Sequence, residues 1–275
     1  MLREFPLPEG TEEQVEAWAR DPGTPAPPRQ AATVVLLRDG DRGVEVFLLR
    51  RRLSMAFAAG MYAFPGGGVD PRDAAADVPW TGPDPAWWAE RLRCTELEAR
   101  AFVCAAVRET FEECGLLLVG GDVAGDDPTW ETERQRLLSR EVAMSDLLRR
   151  RGLHLRSDLL RPWAHWTTPE HEPRRFDTRI LVALAPDGQN ARHVGGEADA
   201  AGWWPASDVL AAVAHGQVRM LPPTLVTLEE VAAAPDAGAL WSQARVLREV
   251  MPTLARRGDR LVMLADLPEQ PVARR

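Results

Sequence analysis

The segment TELEARAFVCAAVRETFEECG, residues 95–115, carries both a start signal and a stop signal for one long helix. Thr95 and Glu98 have the spacing of a capping box, in which each side chain accepts a hydrogen bond from the other residue's backbone N–H. Gly115 is the residue type that commonly ends a helix, because glycine adopts the left-handed backbone of the cap without strain. We therefore predict a helix over about residues 96–114. A helix in water is stabilised mainly by packing, so the rest of the chain has to supply a core for it.

Strand and helix patterns alternate on either side of this segment and place the chain in the α/β or α+β class, with a sheet covered by helices. Two apolar, β-branched runs flank the turn RDGDRG and predict a hairpin at 32–38 and 44–50. The other predicted elements are helices at 85–93, 129–139 and 145–151 (the last capped by Ser145), strands at 162–168, 174–186 and 198–205, and helices at 206–215, 222–234 and 239–251.

The composition argues against several classes of protein. The chain has 275 residues and a net charge of −8, which gives no support to binding of nucleic acid or of a membrane surface. No window reaches the roughly 18 apolar residues of a membrane span, and the first residues lack the apolar run of a signal peptide. The three cysteines, Cys94, Cys104 and Cys114, predict neither a disulfide scaffold nor a zinc knuckle. We expect a soluble, cytoplasmic protein.

Three glutamates crowd the C-terminal end of the predicted helix, namely Glu109, Glu112 and Glu113. Glutamates three or four residues apart repel one another by about 0.2–0.5 kcal/mol per pair. They also lie at the negative end of the helix dipole, which costs roughly another 0.3–1 kcal/mol each when exposed. A divalent cation would offset both costs, and ligands that offer only oxygen suit Mg²⁺ or Mn²⁺. The ordinary alternative is an acidic helix face in contact with solvent.

Other residues of a known signature accompany the glutamates. FPGG at 64–67 and RETFEECGL at 108–116 together resemble the Nudix box, G-x5-E-x7-R-E-U-x-E-E-x-G-U, in which U is aliphatic. The resemblance implies the Nudix fold, a mixed β-sheet sandwiched between helices. Besides the three glutamates, the matching residues are Gly67, Arg108, Gly115 and Leu116, whereas Thr110 stands at an aliphatic position.

A Trp- and Pro-rich segment splits the box. The first acidic position falls on Asp73, and 34 residues separate Asp73 from Arg108 where the box has seven. Asp70 is an alternative for this position, because it belongs to the same turn. We predict an N-terminal arm at 1–30 and a single Nudix hydrolase domain at 31–275, with an insertion at about 74–94 and a C-terminal helical extension at about 222–275.

A split box is typical of one branch of the family, the hydrolases that resemble the mammalian peroxisomal acyl-coenzyme A diphosphatase. The segment WAHWTTPEHEPRRFDTRILVA at 163–183 also resembles that branch. The signature of typical coenzyme A Nudix enzymes, LLTxT and then R-x3-G-x3-FPGG, is half present. Gly60 fits it, whereas Ala56 replaces the arginine, and Arg50 and Arg52 replace the threonines.

The resemblance implies a small-molecule substrate that contains a nucleotide diphosphate. The leading hypothesis is hydrolysis of coenzyme A or acyl-coenzyme A to (acyl) phosphopantetheine and adenosine 3′,5′-bisphosphate. A second hypothesis is the same reaction on another nucleoside diphosphate derivative, such as ADP-ribose, NADH or a dinucleoside polyphosphate. A third is a non-catalytic binding or regulatory protein, although that class typically loses box glutamates.

The resemblance also assigns a metal site. Its implied ligands are Glu109, Glu112, Glu113 and the carbonyl oxygen of Gly67, and its implied cofactor is Mg²⁺ or Mn²⁺. Arg108 would orient a box glutamate through a charge-assisted hydrogen bond. The alternative for Arg108 is a surface ion pair with Glu112, which would contribute little to stability.

The remaining assignments concern catalysis, substrate binding and assembly. The general base is Glu112 or Glu197, and the alternative for Glu197 is an ordinary loop acid. Arg174 and Arg175 are predicted to face substrate phosphates, with a solvated strand edge as the alternative. Trp163 and Trp166 are expected to pack in the core rather than to stack on adenine. A homodimer is compatible with the sequence, because the insertion and the C-terminal helices could form its surface.

Overall fold

The computed structural model describes residues 1–8, 10–52, 58–75, 77–123, 127–194, 198–243 and 245–268. Strands and helices alternate along these residues. The strands are β1 (Leu2–Phe5), β2 (Arg29–Gly40), β3 (Gly43–Arg51), β4 (Tyr62–Ala63), β5 (Gly66–Gly68), β6 (Trp80–Thr81), β7 (Val119–Gly120), β8 (His154–Arg156), β9 (Arg161–Thr167), β10 (Phe176–Leu184), β11 (Ala198–Pro205), β12 (Glu249–Val250), β13 (Thr253–Arg257) and β14 (Arg260–Asp266). The α-helices are α1 (Glu12–Arg20), α2 (Pro85–Leu92), α3 (Glu96–Cys114), α4 (Thr129–Leu138), α5 (Met144–Arg151), α6 (Ala206–Ala214), α7 (Pro222–Ala232) and α8 (Ala237–Trp241).

The predicted hairpin around RDGDRG is formed by β2 and β3 and lies in the middle of the main sheet. The strand order in this sheet is β11-β3-β2-β10-β9-β12, with β4 paired to β3 and β5 paired to β2. β2 is parallel to β10, and β9 is parallel to β12, whereas the other neighbours are antiparallel. The sheet is therefore mixed, as the family resemblance implied.

The main sheet is buried on both faces because successive side chains of a strand point to opposite sides. In β2, Val34 and Leu36 pack on the side of α3, whereas Val35 and Leu37 pack on the side of α7. Helices therefore cover both faces, and the predicted sandwich is confirmed. Among the described helices, none is both long and apolar enough to cross a bilayer.

The segment that splits the box is packed into the core. Asp84 caps α2, because its side chain accepts a hydrogen bond from the Trp87 N–H at 2.8 Å. Trp88 and Leu92 of this helix are fully buried against α3, and β6 pairs with β8. The insertion is therefore a part of the layer that holds α3 in place.

One predicted helix cap is wrong. Helix α5 begins at Met144, so Ser145 lies inside its first turn and is buried. The N-cap residue is Ala143, whose backbone N–H donates to the Asp146 carboxylate at 3.3 Å. An acidic residue at the third helical position thus stabilises this end without help from a capping hydroxyl.

The last predicted helix, at 239–251, is wrong beyond Trp241. Here β12 adds a short parallel strand beside β9, and Leu247 and Val250 are buried in an extended segment. The guanidinium of Arg245 lies 3.3 Å from the ring centre of Trp163. These tertiary contacts override a helical pattern that the local sequence favours.

A second sheet joins residues near the start of the chain with the last described strands. β14 pairs with β13 on one side and with β1 on the other, and Leu2 lies opposite Asp266. The C-terminal extension is therefore helical only in part, because strands follow α7 and α8. The predicted N-terminal arm also forms β1 and α1, which its proline-rich end did not indicate. The division of the chain at residue 30 stays a prediction.

Candidate metal centre and active site

Helix α3 begins and ends where the sequence predicts. Thr95 and Glu98 form the capping box, with the Thr95 N–H donating to Glu98 at 2.9 Å and the Glu98 N–H donating to Thr95 at 3.3 Å. Gly115 takes a left-handed φ of 72° at the C-cap. Two donors from elsewhere satisfy carbonyls of the last turn: Arg134 Nη1 reaches the Glu112 carbonyl at 2.8 Å, and the Arg192 N–H reaches the Cys114 carbonyl at 3.1 Å. The C-terminal end of α3 is thus held in place.

The three box glutamates do not form a solvated face. Glu109 and Glu112 are only 8% and 7% exposed, and Glu113 is half-buried. The backbone N–H of Gly66 donates to Glu113 Oε2 at 2.7 Å, which ties the glycine strand β5 to the helix. Burial of a carboxylate is costly unless the charge is compensated. These side chains therefore need a positive partner.

Arg108 supplies part of that compensation from within the cluster. Its Nη1 donates to Glu109 at 2.7 Å and to Glu112 at 3.0 Å, and its Nη2 donates to Asp73 and to the Gly68 carbonyl. Burial opposes the charged form of Arg108, but the hydrogen bond that it donates to Asp73 and the charges of the three carboxylates outweigh burial and raise the pKa of Arg108. Arg108 is therefore a buried hub rather than one half of a surface ion pair.

Asp73, and not Asp70, contacts the box arginine. Asp73 is 2% exposed, and its carboxylate pairs with Arg108 Nη2 at 2.9 Å. Asp70 lies in the same turn but pairs with Arg72 at 2.9 Å, and its pKa is lowered to about 2, chiefly by that hydrogen bond. Asp73, the acidic position counted from Gly67, thus contacts Arg108 although the insertion separates the two residues in the sequence.

The pKa of Glu112 is raised although the positive charge of Arg108 lies beside it. Burial raises its pKa to about 7, with Arg108 acting in the opposite direction and the charge of Glu109 adding to the rise. Arg108 offers one positive charge to three carboxylates, so the cluster keeps an excess of negative charge. This raised pKa belongs to the side chain without a cation, and a cation bound beside Glu112 would lower it by favouring the charged form.

Gly67 makes room for Glu109. A Cβ atom built on Gly67 would lie 2.7 Å from the Glu109 carboxyl carbon and from both of its oxygens. At the next residue, Gly68, a Cβ atom would meet nothing within 4 Å. The glycine at position 67 thus leaves the space that the Glu109 carboxylate occupies, and a larger residue would displace that side chain. The Gly67 carbonyl oxygen as a metal ligand stays a prediction.

The donor set fits a divalent cation. Among the residues that the structure describes, no group of three or more His, Cys, Asp or Glu side chains is gathered to hold a metal ion. Glu109 and Glu112 both pair with Arg108 instead. The side chains nevertheless offer only oxygen atoms as ligands, and they carry excess negative charge. One of them, Glu109, also lies against the backbone of Gly67, which has no Cβ atom. Glu109, Glu112 and Glu113 could therefore hold Mg²⁺ or Mn²⁺, which prefer such ligands.

The glutamates open into a cavity of about 640 Å³, which we call the box cavity. Arg29 and Arg140 are exposed on its lining, and Arg134 is buried beneath it. Sequence reasoning missed all three, because no local signal separates them from the many other arginines of the chain. The apolar part of the box cavity's lining comes from Leu49, Val69, Leu137, Leu138, Phe176 and Ala198.

Two predicted substrate-binding residues lie away from the box cavity. Arg175 is buried, and its guanidinium donates to the carbonyls of Thr168 at 3.0 Å and Ala26 at 2.8 Å. This geometry favours a role in fixing the N-terminal segment. Arg174 is exposed and lines a different cavity. Contact of either arginine with substrate stays a prediction.

The second candidate base, Glu197, lies outside the described residues. Its neighbour in sequence, Ala198, lines the box cavity, and β11 begins there. The role of Glu197 therefore stays a prediction. Trp163 and Trp166 are buried in the core beside α7, so the packing expected for them is confirmed.

Comparison with known proteins agrees with the geometry. No protein-family model matches the chain. A crystal structure of a Nudix hydrolase from Alicyclobacillus acidocaldarius is 33% identical, with a TM-score of 0.65 over 80% of this chain and 98% of that one. A putative nudix hydrolase 7 from Caenorhabditis elegans is 23% identical over 226 residues, 82% of this chain and 67% of that protein.

The chain is also similar to the acyl-coenzyme A diphosphatase NUDT19 of Xenopus laevis. The two are 24% identical over a match that covers 68% of this chain and 59% of that protein. The chain thus spans about three fifths of that relative's length. Nudix hydrolases generally use divalent metal ions, in keeping with the donor set of α3. With the split box, the buried carboxylates and a structural relative above 30% identity, the chain belongs to the Nudix hydrolase family.

Proposed function

We propose that the protein hydrolyses the diphosphate linkage of coenzyme A or an acyl-coenzyme A, giving (acyl) phosphopantetheine and adenosine 3′,5′-bisphosphate. The observation that supports the chemistry is the buried carboxylate cluster around Arg108, which opens into a cavity lined by further arginines. The choice of substrate is supported by the similarity to the Xenopus acyl-coenzyme A diphosphatase and by the segment at 163–183.

Glu109, Glu112 and Glu113 would hold the cation, Mg²⁺ or Mn²⁺. Such an ion neutralises charge on the diphosphate and on the attacking oxygen. Arg108 keeps Glu109 and Glu112 in fixed orientations through its two hydrogen bonds from Nη1. Fixed orientation matters because a displacement of about 1 Å can cost roughly 10²-fold in rate.

Other atoms of the box cavity would accept the proton and bind the phosphates. A water molecule attacks one phosphorus of the diphosphate. The bond from that phosphorus to the bridging oxygen breaks, and the departing phosphate keeps the electron pair of that bond. The Glu112 carboxylate can accept the proton of the attacking water, and Glu197 is the alternative acceptor. Arg29 and Arg140 line the same cavity and would bind the charged oxygens of the substrate.

A panel of substrates tests the proposal. The purified protein is incubated with Mg²⁺ or Mn²⁺ and coenzyme A, acyl-coenzyme A esters, ADP-ribose, NADH or diadenosine polyphosphates, and the products are read by mass. In ¹⁸O-labelled water, the heavier product also identifies the phosphorus that was attacked. We expect the fastest turnover with a coenzyme A compound. A second outcome is hydrolysis of ADP-ribose, NADH or a dinucleotide but of neither coenzyme A nor its esters. That result would contradict the proposed substrate and leave the reaction type intact. The cytoplasmic location likewise stays a prediction.

A further inference from the structure

A second cavity, of about 520 Å³, adjoins the box cavity. Phe176, the first residue of β10, lines both. We call the second one the apolar cavity, because its walls are formed mainly by apolar side chains and prolines. Its volume lies within the range of about 300–1,000 Å³ that is usual for small-molecule sites.

Several separate segments build the apolar cavity. Its largest apolar side chains are Met61, Trp166, Phe176, Leu221 and Met263. Prolines from the N-terminal segment, from the end of β9 and from the start of α7 also line it, and their rings restrict backbone motion. Such walls keep an apolar site open without ordering flexible chain when a ligand binds.

The strand register shows how near the two cavities are. Thr178 lines the apolar cavity and lies opposite Ala31 of β2, and Ala31 lies opposite Gly68, which lines the box cavity. Neighbouring strands are about 4.8 Å apart, so Thr178 and Gly68 are separated by roughly 10 Å. Thr178 has the parity of Ile180 and Val182 and so lies on the α7 face of the sheet, whereas the glutamates of the box cavity lie on the α3 face. A flexible arm of a ligand bound in the box cavity would therefore reach the apolar cavity around the end of β10, at Phe176.

The two cavities differ in the charge of their linings. The box cavity is lined by acidic residues and arginines, as a metal–diphosphate complex requires. The apolar cavity offers few charged groups, and Arg174 is among them. A substrate that fills both must carry a highly charged part joined to a long part that ends in an apolar group.

We propose that the apolar cavity binds the acyl end of the acyl-pantetheine arm, so that acyl-coenzyme A esters are better substrates than free coenzyme A. This inference rests on the proposed function. Met61, Trp166 and Leu221 contact the acyl chain, and Thr178 is available to hydrogen-bond an amide of the arm. Arg174 contacts a polar group of the same arm, which relocates its predicted role from the phosphates to the arm.

Two cavity-filling variants test the inference. Leu221→Trp and Met61→Trp fill the apolar cavity from different segments, and Leu210→Trp is the matched control on α6, a half-buried leucine away from both cavities. The kcat/KM is measured for coenzyme A, acetyl-coenzyme A and octanoyl-coenzyme A. Loss of a few methylene contacts corresponds to about 10-fold or more. We expect that loss for the octanoyl ester with both filling variants, little change for coenzyme A, and no change for Leu210→Trp.

A competition measurement on the unaltered protein does not depend on whether the variants fold. Octanoyl-pantetheine, which lacks the diphosphate, should inhibit hydrolysis of coenzyme A at least about 10-fold more strongly than pantetheine does. Equal inhibition, or filling variants that treat the octanoyl ester as the control does, would overturn the inference while coenzyme A hydrolysis stands. A protein that cleaves no coenzyme A compound would overturn the proposed function, and the inference with it.

Discussion

The two ends of helix α3 carry the same residue type in opposite circumstances. At the N-terminal end, Glu96 and Glu98 lie in the first turn, where the helix dipole favours negative charge, and Glu98 completes the capping box. At the C-terminal end, the box glutamates lie where the dipole is unfavourable, and two of them are buried. Both ends are capped as the sequence predicts, but the placement of charge that the dipole favours at the first end is reversed at the second.

The difference separates a structural end of one helix from the end that carries the proposed site. The first end is stabilised within the chain by reciprocal hydrogen bonds between Thr95 and Glu98. The second end gathers three carboxylates around the single guanidinium of Arg108 and keeps excess negative charge. Departures from local rules that occur together commonly mark functional sites. Substitutions at the two ends should therefore change different properties.

The largest expected effect is the loss of activity in Glu112→Gln. The substitution keeps the shape of the side chain but removes the charge that, in the proposed mechanism, binds the cation and accepts the proton. We expect kcat to fall by about 10³-fold with Mg²⁺ or Mn²⁺ supplied. Glu96→Gln is the matched control, because it makes the same change at the exposed start of the same helix. Activity of Glu112→Gln equal to that of the control would refute the assignment.

Arg108→Leu should have the largest effect on stability. Without the guanidinium, three buried carboxylates lose their partner, and breaking such a pair costs about 3–5 kcal/mol. The free energy of unfolding by urea, measured in EDTA, checks this value. Arg256→Leu is the control, since its ion pair with Glu16 is exposed and should contribute less than about 1 kcal/mol. Similar losses in both variants would show that the buried hub is not a stabilising feature.

Gly67→Ala should impair catalysis more than folding. The new methyl group would meet the Glu109 carboxylate, and the displaced side chain should lower kcat/KM by about 10²-fold. Gly68→Ala makes the same change one residue later, where a Cβ atom meets nothing within 4 Å. Steady-state kinetics of the two variants should therefore differ strongly. If both retain full activity, close approach of Glu109 to the glycine strand is not needed.

The smallest expected effect belongs to the structural end of the helix. Thr95→Ala removes the capping hydroxyl and should lower the free energy of unfolding by about 1 kcal/mol, whereas Thr95→Ser should restore most of it. The kcat/KM should stay unchanged, because Thr95 is about four turns from the box glutamates. A loss of activity larger than the loss of stability would break the distinction between the two ends.

The sequence predicted those parts of the fold that local signals specify. The capping box and Gly115 gave the bounds of α3, and the runs around RDGDRG gave the central hairpin. The pairing of β1 with β14 joins residues at opposite ends of the chain, and no local pattern indicates it. The extended segment around Leu247 was predicted as helix for the same reason, because contacts distant in sequence decide its conformation.

The candidate site was predictable to a similar extent. The family signature identified Gly67, Arg108 and the glutamates, whose types and spacing are visible in the sequence. Arg134 and Phe176 reach the site from a helix and a strand that only the folded chain brings there. Burial of the glutamates was not predictable either, since acidic helix faces are usually solvated. It follows from the packing of α3 between the main sheet and the layer that contains the insertion.

Binding of Mn²⁺ to the buried glutamates tests the central claim most directly. Crystals soaked in manganese would be examined by anomalous diffraction, with and without a non-hydrolysable nucleotide analogue. We predict an anomalous peak within bonding distance of carboxylate oxygens of Glu109, Glu112 or Glu113. Well-ordered density for these side chains with no such peak, in both the free and the analogue-bound crystals, would contradict the account.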